Sequence, residues 1–447
     1  MEAAGIPAPM NAKETVPGAI PRANSRPETV SQAILRGGLH LLVSAYLALM
    51  RLVGFVRPGT RPPEDGRFDI LLTGSFYSDN WLMSHLRPLA MSGRCARIRM
   101  VSTTPLPPME KVEAVHPPAW LIRVLGDVPA RLATFFWTGI RARPDIVGGF
   151  HLLFNGLAAA LLGRMIGARS LYFCVGGPAE VLGGGRCSEN RLFARLSAPD
   201  PALERKLIRS VANFDLVIAM GSRAVQFFRQ RGVDASFHVV SGGLDASRFR
   251  ADAAQPRYDL ILVGRLAEIK RIDIFLESVK HVRRKLPAVT AVVVGDGPQR
   301  KALEAAARAL GIETSVTFAG HRQDVESFLK KSRLFALTSD SEGLSLSLME
   351  AMLCGLPAVV SRVGDLGDLV EEGVNGYLIA ERTPEAFATR FVELLTDGES
   401  LAELGDAARR SASRFELAAV SRLWDGILAE SPGADTTGLV PSGRGAS

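Results

Sequence analysis

The most restrictive feature of this chain is an alternation of short apolar runs with amphipathic stretches, which occurs in two consecutive series. Short apolar runs predict buried strands, and stretches in which apolar residues recur every three or four positions predict helices. The first series opens with the run Phe68–Thr73 and the second with Tyr258–Val263. Strands that alternate with helices in this way are typical of a parallel sheet with helices on both faces. The sequence therefore predicts a doubly wound α/β fold, formed twice.

The limits of the two units follow from the positions of the runs. The other predicted strands are residues 97–101, 145–147, 170–175, 215–219 and 238–240, then 291–294, 316–318, 334–337, 358–360 and 376–379. Two units are also expected from a length of 447 residues, since single cores seldom grow beyond about 250–300 residues. We predict Rossmann-like domains at residues 67–250 and 257–410 that face a central cleft, then a helix at 411–430 and a flexible tail at 432–447. The polar, proline-rich residues 1–30 predict a disordered lead-in.

Residues 31–58 form a segment that is apolar on almost every side. Arg51 interrupts the run of about 20 apolar residues that a membrane-spanning helix needs. We therefore expect this segment to form a helix that lies in the membrane interface, with its arginines reaching toward water. A helix packed on the protein itself and a true membrane span remain the alternatives.

Composition excludes several classes of function. The net charge of +7 favours an anionic partner such as a phosphorylated substrate or an acidic membrane surface. No compact run of Lys and Arg with interleaved aromatics occurs, so nucleic acid is not an expected partner. The four cysteines form no CxxC pair, which predicts neither a zinc site nor a disulfide framework and is typical of a cytoplasmic protein. No GxGxxG follows a predicted strand, which argues against an NAD-dependent dehydrogenase.

Candidate binding residues follow two of the strands predicted for the second unit. Arg265 and Lys270 come directly after the strand Tyr258–Val263, where the ligands of such sheets bind. Two cations at that position suit a diphosphate. Glu342 and Gly343 follow the strand at 334–337, and a helix is predicted to begin near Leu344 or Ser345. The free N–H groups at a helix start also favour phosphate.

A second carboxylate, Glu350, lies eight residues beyond Glu342 within that predicted helix. Helical geometry separates the two by about 12 Å, which is the scale of a nucleotide sugar that lies across the helix end. One carboxylate could then bind hydroxyls of the sugar and the other the hydroxyls of the ribose. Glu350 is flanked by apolar residues, and a carboxylate in an apolar helix needs a partner.

Several motifs in order make the chain resemble family 4 of the retaining GT-B glycosyltransferases, the glycosyl transferases group 1. They are Val263-Gly-Arg-Leu with Lys270, Val294-Gly-Asp-Gly-Pro298, Phe318-Ala-Gly320, Ser341-Glu-Gly343 through Glu350 to Pro357, and Asn375-Gly376. The resemblance covers residues 258–380 closely and residues 68–250 more loosely. Three features depart from the family pattern. Asp365 replaces a usual glycine, Asp368 replaces a usual glutamate, and the middle of the paired-Glu motif, Glu342 to Glu350, reads Leu-Ser where an aromatic residue and glycine are common.

The resemblance implies roles for the candidate residues. Arg265 and Lys270 match the cations that hold the donor diphosphate and stabilise the charge of the leaving group. Glu342 matches a carboxylate close to the transferred sugar, and Glu350 matches the one that binds the ribose. The remaining matches are backbone N–H groups that meet the phosphates, at Gly343, Leu344 and Ser345, and a segment that grips the base, at Arg322.

The first unit is expected to bind the acceptor, with less specific signals. Gly74 follows the first strand and could approach the donor phosphate closely. His151 resembles a family histidine beside the reacting sugar, although a buried structural histidine is the alternative. Residues 176–185 are rich in glycine, which allows either a close approach to a ligand or simple loop flexibility. The apolar stretch 117–137 is expected to pack on the core, and contact with a membrane is the alternative.

These expectations combine into one predicted activity. The chain is expected to be a retaining glycosyltransferase that moves a sugar from a nucleotide diphosphate, UDP- or GDP-linked, to a lipid-linked or saccharide acceptor. Polysaccharide or glycolipid biosynthesis at the inner face of the cell membrane is the expected setting, with an anionic membrane surface as a partner and a peripheral or monotopic attachment. Neither a metal nor a further cofactor is expected. A sugar-nucleotide epimerase and a non-catalytic sugar-nucleotide-binding subunit are the alternatives on the same fold.

Overall fold

The computed structural model describes residues 29–54, 63–76, 78–188, 190–249 and 256–430. The predicted lead-in lies outside these residues except for positions 29 and 30, and the predicted tail at 432–447 lies wholly outside them.

The first half of the chain forms a seven-stranded parallel sheet with strand order β3-β2-β1-β4-β5-β6-β7. Leu71 of the first strand lies opposite Val147 of the fourth. The elements in chain order are α1 (Val30–Gly54), β1 (Phe68–Thr73), α2 (Asp79–Met91), β2 (Cys95–Val101), β3 (Val112–Val115), α3 (Ala119–Leu125), α4 (Asp127–Ala142), β4 (Ile146–Phe150), α5 (Leu157–Ile166), β5 (Arg169–Cys174), α6 (Pro201–Val211), β6 (Leu216–Ala219), α7 (Ser222–Arg229) and β7 (Phe237–Val239).

The second half forms a six-stranded parallel sheet with strand order β10-β9-β8-β11-β12-β13. Ile261 of its first strand lies opposite Phe335 of its fourth. The elements are α8 (Ala246–Phe249), β8 (Tyr258–Val263), α9 (Ile272–Lys285), β9 (Ala291–Val294), α10 (Arg300–Ala309), β10 (Val316–Gly320), α11 (Val325–Leu329), β11 (Ser332–Leu337), α12 (Leu346–Leu353), β12 (Ala358–Ser361), β13 (Gly376–Ile379), α13 (Pro384–Thr396), α14 (Gly398–Ala412) and α15 (Leu417–Ala429).

Both sheets reverse their strand order at one place, which is called the switch point here. The first switch point lies between β1 and β4, and the second between β8 and β11. Loops that leave neighbouring strands on opposite sides of a sheet open a crevice there, and ligands of this fold bind in that crevice. The predicted doubly wound topology is confirmed in both halves. Most candidate residues follow strands that border the two switch points, whereas Arg322 follows β10 and Glu350 lies on α12.

Two local predictions differ from the structure. β3 was not predicted, because Val112–Val115 is a short edge strand without a fully buried residue and therefore gives no apolar run. The single helix predicted at 411–430 is wrong in its extent, because α14 continues to Ala412, residues 413–415 form a tight turn, and α15 begins at Leu417. Glu416, just before α15, pairs with Leu244 in an isolated parallel bridge that interrupts the helix.

The last helix crosses back from the second half to the first sheet. Trp424, Ile427 and Leu428 of α15 are buried in one cluster with α2 and with strand residues of the first sheet, such as Ile70. Burial of these large apolar side chains ties the C-terminal end of the described chain to the N-terminal sheet. The two halves are therefore joined by packing as well as by the connection between β7 and β8.

Helix α1 uses one face to pack on the first half and exposes another. Leu39, Val43 and Met50 are buried in a cluster that also contains residues of α5 and α6. His40 Nε2 lies 2.7 Å from Asp200 Oδ2, and the ammonium of Lys206 donates to Ser44 Oγ at 2.7 Å. By length and composition alone α1 is apolar enough to cross a membrane. Its exposed apolar side chains are those of Val30, Ile34, Leu41, Leu42, Leu49 and Leu52.

Candidate functional site

Two loops, after β8 and after β11, form the second switch point and are hydrogen-bonded to each other. The loop after β11 donates the Asp340 N–H to the carbonyl of Ile269, in the loop after β8, at 2.8 Å. The hydroxyl of Thr338 donates to the carbonyls of Lys270 and Arg271 at 3.2 and 2.8 Å. These bonds fix the two loops against one another. Side chains that are 72 positions apart in sequence are thereby brought within contact distance.

Lys270 and Glu342 form the central ion pair of this site. The Lys270 ammonium donates to both carboxylate oxygens of Glu342, at 2.7 and 2.9 Å, and the Ser339 hydroxyl donates to one of them at 2.6 Å. The Glu342 side chain is only 7% exposed, whereas that of Lys270 is 24% exposed. The pair therefore presents its cation toward the open side of the crevice, while its carboxylate is held in a fixed orientation.

Arg265 supplies a second cation with a different environment. Its side chain is exposed, and within the described part of the chain it forms no ion pair. It follows β8, as does Lys270, so both cations lie at the same sheet edge. Asp340, two residues before Glu342, forms ion pairs with Arg271 at 3.4 Å and with Arg382 at 2.7 Å.

Glycines allow the loops of the second sheet to pack backbone against backbone. A Cβ on Gly364, in the loop after β12, would collide with the carbonyl of Glu342. A Cβ on Gly295, after β9, would collide with the carbonyl of Gly264. Both glycines have positive φ angles, of +57° and +142°, which residues with a side chain rarely adopt. The loop after β12 therefore lies directly against the backbone of Glu342.

Helix α12 begins one or two residues later than the sequence predicts. Its first residue is Leu346, and Ser345 caps it by accepting the Leu348 N–H on its hydroxyl at 3.4 Å. Gly343 is exposed with open space where a Cβ would lie, and Leu344 is partly buried. Residues 343–345 are thus the approach to a helix start, where free N–H groups and the helix dipole favour an anion.

Glu350 is a partly buried carboxylate on α12. Burial raises its pKa to about 7, the nearby Arg248 guanidinium opposes this rise, and Glu326 adds to it. Arg248 itself is paired with Glu326 at 3.0 Å. Within the described residues the Glu350 carboxylate has no hydrogen-bond partner, so it is able to accept bonds from a ligand's hydroxyl groups.

Arg322 lies apart from these groups, on the loop after β10. Its guanidinium is exposed, pairs with Asp324 at 2.9 Å and lies 5.3 Å from the centre of the Phe328 ring. The structure thus brings together Lys270, Glu342 and the approach to α12, with Arg265 on the same edge. It does not place Arg322 in contact with them.

The first switch point is filled by aromatic side chains. Gly74 follows β1 and is buried, and a Cβ there would lie 2.9 Å from atoms of Phe76 and Phe150. Phe150 stacks on Phe173 with ring centres 4.1 Å apart, and Trp81 stacks on His85 at 4.1 Å. The absence of a side chain at Gly74 is therefore explained by packing within the protein, and a role toward a phosphate stays a prediction.

His151 follows β4 and is mostly buried, with a positive φ of +65°. Its Nδ1 lies 3.5 Å from the carboxylate of Glu180. That carboxylate also accepts the Leu152 N–H, the Gly176 N–H at 2.7 Å and the Tyr172 hydroxyl at 3.0 Å. One buried carboxylate thus fixes the backbone after His151 and the glycine-rich segment at 176–185. Sequence reasoning noted Glu180 only as part of that segment.

Arg131 is a residue that sequence reasoning missed. It projects from α4 into the first switch point and is 3% exposed. Its guanidinium donates to Ser75 Oγ, after β1, and to Asn155 Oδ1, after β4, each at 2.9 Å. Burial lowers its pKa, and Asp127 partly offsets this. A buried cation with neutral hydrogen-bond partners is uncommon. Its spacing of four residues from the buried Phe135 could have indicated that it faces inward.

The apolar stretch at 117–137 packs on the core only in part. Phe135 is fully buried, as expected, but Trp120 and Trp137 are each 64% exposed. The prediction of core packing is therefore wrong for these tryptophans, because α3 contributes no buried residue and α4 buries only the face that carries Phe135. Among the described residues, no group of three or more His, Cys, Asp and Glu side chains is arranged to hold a metal ion.

The second half of the chain matches a known family. The family model described as glycosyl transferases group 1 matches residues 245–411. This range contains the whole six-stranded sheet, both loops of the second switch point and helix α12.

Two relatives are similar over longer stretches of the chain than the family model. The D-inositol 3-phosphate glycosyltransferase of Segniliparus rotundus is 33% identical over 207 residues, covering 43% of this chain and 45% of the relative. The GDP-mannose-dependent alpha-(1-6)-phosphatidylinositol monomannoside mannosyltransferase of Mycolicibacterium smegmatis is 26% identical over 283 residues, covering 56% of this chain and 74% of the relative. The chain thus spans less than half the length of the first relative.

A solved structure is similar over both sheets. HepE from Anabaena, in complex with UDP-glucose, matches with a TM-score of 0.61 at 20% identity, covering 81% of this chain and 99% of that chain. At this identity the likeness concerns the fold. Together with the strand orders it confirms the expected GT-B architecture of two Rossmann-like domains.

Proposed function

Because residues 245–411 of this chain belong to the glycosyl transferases group 1 family, we propose that the protein transfers a sugar from a nucleotide diphosphate to an acceptor with retention of anomeric configuration. The observation that carries the proposal is the Lys270–Glu342 pair at the second switch point. A fixed carboxylate beside an outward-facing cation offers acceptors for sugar hydroxyls and a charge for the diphosphate. Both groups lie where ligands of this fold bind.

The donor is held entirely by the second half in this proposal. Arg265 and Lys270 bind the diphosphate, and the N–H groups of residues 343–345 add hydrogen bonds at the start of α12. Glu342 accepts hydroxyls of the sugar, and Glu350 accepts hydroxyls of the ribose. The Arg322 guanidinium exchanges its ion pair with Asp324 for a contact with the base. A UDP- or GDP-linked sugar is the proposed donor, and the UDP-glucose complex of HepE and the GDP-mannose dependence of the Mycolicibacterium relative support these two classes.

Transfer with retention needs no side-chain nucleophile. The acceptor hydroxyl attacks the anomeric carbon from the side on which the diphosphate departs. The bond between that carbon and the diphosphate oxygen breaks with its electron pair on the oxygen, which then takes the acceptor proton. Stabilisation of this developing charge by Arg265, Lys270 and the helix start is the main catalytic contribution. His151 of the first half contacts the transferred sugar from the opposite side of the cleft.

The acceptor is proposed to be lipid-linked and to reach the protein at the inner face of the cell membrane. The exposed face of α1, which carries Leu41 and Leu49, supports this, as do Trp120 and Trp137 of α3 and α4. α1 and α4 both pack on α5, so these apolar residues lie on the same side of the first sheet. Arg141, 5.3 Å from the Trp137 ring, and Arg51 in the last turn of α1 add positive charge there. Such a combination favours an anionic lipid surface.

A donor panel tests the activity directly. The full chain is incubated with UDP-, GDP- and ADP-sugars and a membrane lipid extract, and nucleotide release and labelled lipid are measured. Lipid-dependent release of one nucleotide, abolished in Glu342→Ala and Lys270→Ala but kept in the exposed control Lys285→Ala, supports the proposal. Nucleotide release that does not depend on lipid would show that the acceptor is water or a soluble molecule and is not lipid-linked. Absence of binding to every nucleotide sugar contradicts the proposal.

A further inference from the structure

The loop between β12 and β13 joins the second half to the first through two aspartates. The Ser222 N–H and hydroxyl donate to the two carboxylate oxygens of Asp368, each at 2.7 Å. The Arg223 N–H donates to Asp365 Oδ1 at 2.9 Å. Both donors lie at the start of α7, in the first half, 142 and 146 positions away in sequence. We name residues 363–368 the latch loop.

The latch loop approaches the backbone before α7 so closely that a side chain would not fit between them. Gly221 precedes α7, and a Cβ at this position would overlap the carboxylate of Asp365. Its φ of −151° is an extended conformation open to any residue, so the close approach is what requires a glycine. Both carboxylates meet N–H groups that have no partner within the helix, and they also face the positive end of its dipole. The contact therefore has matched charge as well as matched shape.

On its other side, the latch loop packs against the backbone of Glu342 in the proposed donor site. Gly364 lies against the backbone of Glu342 so closely that no side chain fits between them. Leu366 is fully buried in the core of the second half, and the Arg414 guanidinium donates to the carbonyl of Asp368. The loop is consequently held on three sides. A shift of Asp365 or Asp368 would be passed to the Glu342 backbone.

The first-half side of the contact continues toward His151. Ala224, in the first turn of α7, faces Gly177, where an added Cβ would lie 3.8 Å from the Ala224 Cβ. Gly177 belongs to the turn that carries Glu180, the carboxylate beside His151. A continuous series of contacts thus leads from Glu342 through the latch loop and α7 to His151.

We propose that Asp365 and Asp368 are positioning residues that set Glu342 of the second half relative to His151 of the first half. The inference rests on the proposed function, in which Glu342 and His151 contact the transferred sugar from opposite sides. Both aspartates reach the first half through their side-chain carboxylates. Their effect is on the geometry of transfer, while the donor diphosphate is bound by residues outside the latch loop.

The first test separates turnover from donor binding. Asp365→Ala, Asp368→Ala and the double variant are compared with the exposed control Glu371→Gln from the same connection. We expect kcat to fall by about tenfold to a hundredfold in the double variant, since misplacement by about 1 Å has such effects. The Kd of UDP-glucose, measured by calorimetry, stays within about twofold of wild type. Asp368→Asn keeps one acceptor oxygen and should retain an intermediate kcat.

The second test approaches the contact from the first half. Gly221→Ala places a methyl group against Asp365 and should lower kcat as the aspartate variants do. A double-mutant cycle with Ser222→Ala and Asp368→Ala should be non-additive in kcat, because both changes remove the same hydrogen bond. Additive effects, or an unchanged kcat in the double aspartate variant, would overturn the proposal. Loss of UDP-glucose binding would overturn it as well, because the aspartates would then belong to the donor site.

A third measurement is independent of turnover. Fluorescent labels on the two halves report their separation in the wild type and in the double aspartate variant, with thermal unfolding as the control for folding. A changed separation in a folded variant supports the positioning role, and an unchanged separation contradicts it. If the wild type turns over no donor at all, the proposed function fails, but this measurement still decides whether the latch loop sets the geometry of the halves.

Discussion

The two switch points of this protein have the same topology and opposite chemistry. At the first, the crevice is filled by Phe150 and its aromatic neighbours, and its cation, Arg131, is buried against neutral partners. At the second, Arg265 is exposed and Lys270 is held by Glu342 at the open side. The same strand order around a switch point therefore does not imply the same site, because the loops after the strands decide which side chains line the crevice.

This difference suggests a division of labour. An exposed charge has a small desolvation penalty and is accessible to a charged ligand. A buried arginine has a large desolvation penalty, so we expect it only where its hydrogen bonds stabilise the surrounding structure. We interpret the second switch point as the place where a diphosphate binds. The first is interpreted as a rigid wall, in which Arg131 ties the loop after β1 to the segment after β4.

The largest effect is expected from the ion pair of the second switch point. Lys270→Met removes a cation from the leaving diphosphate, and we expect kcat/KM to fall by about 10²–10³-fold, as when a preorganised charge is removed from an active site. Turnover at saturating acceptor, over a range of donor concentrations, measures this. A loss below about threefold would show that Lys270 only orients Glu342 and would break the proposed contrast between the switch points.

The next effect concerns stability rather than turnover. Arg131→Met leaves the buried side-chain oxygen Oδ1 of Asn155 without its donor, and we expect the free energy of unfolding to fall by about 1–3 kcal/mol. Denaturant unfolding measures this change. Arg265→Met is the matched control at the second switch point, with an expected change within about 0.5 kcal/mol because the side chain is exposed.

Equal stability losses in Arg131→Met and Arg265→Met would contradict the comparison. Arg131→Lys sharpens it, because this variant keeps the charge and loses the two-pronged hydrogen bonding to Ser75 and Asn155. If Arg131→Lys is as unstable as Arg131→Met, the hydrogen bonds are what matters. If it is as stable as wild type, the charge itself is sufficient.

A smaller effect is expected from pH at the ribose end of the second site. Because burial raises the pKa of Glu350 to about 7, its ionised form is lost as pH falls through that value. UDP-glucose affinity should weaken by up to about tenfold between pH 8 and pH 6 if the carboxylate must be ionised to accept two ribose hydroxyls. Calorimetry with UDP-glucose measures this, since its diphosphate stays ionised throughout.

The Glu350→Gln variant removes the titrating group and should bind UDP-glucose with little dependence on pH. The same shift has a consequence for stability. A carboxyl whose pKa is raised in the folded state stabilises the fold at low pH, and this contribution disappears as pH rises from its ordinary value to about 7. A wild-type donor affinity that does not change with pH would exclude Glu350 from the ribose site.

The smallest effect is expected on membrane binding, for which the outer surfaces of the two halves should differ. Trp120→Ser and Trp137→Ser should each weaken binding to anionic vesicles by about threefold to tenfold, because each ring is largely exposed and amphipathic. Val374→Ser, at an exposed apolar position of the second half, is the control and should have no effect. Vesicle flotation measures all three. Equal losses in the three variants would indicate non-specific adsorption.

The amino-acid sequence alone was sufficient to predict the two parallel sheets and the loops that carry the donor candidates. Buried strands are local runs of apolar residues, and the 3.6-residue period marks the helices between them, so both are encoded in neighbouring positions. Arg265, Lys270 and Glu342 follow such runs, whereas Glu350 lies within a helix, and the roles predicted for all four came from the resemblance to a known family. The edge strand Val112–Val115 was missed because a partly exposed strand has no such run.

Which side chains contact one another could be seen only in the three-dimensional structure. The pairing of Lys270 with Glu342, the burial of Arg131 between two loops, the return of α15 to the first sheet and the contact of Asp365 and Asp368 with α7 all join distant positions. The face of α1 that packs and the face that remains exposed were decided in the same way. The physical reason is that periodicity records how a segment folds along its own axis, whereas partners depend on where the crossing helices and loops place separate segments in space.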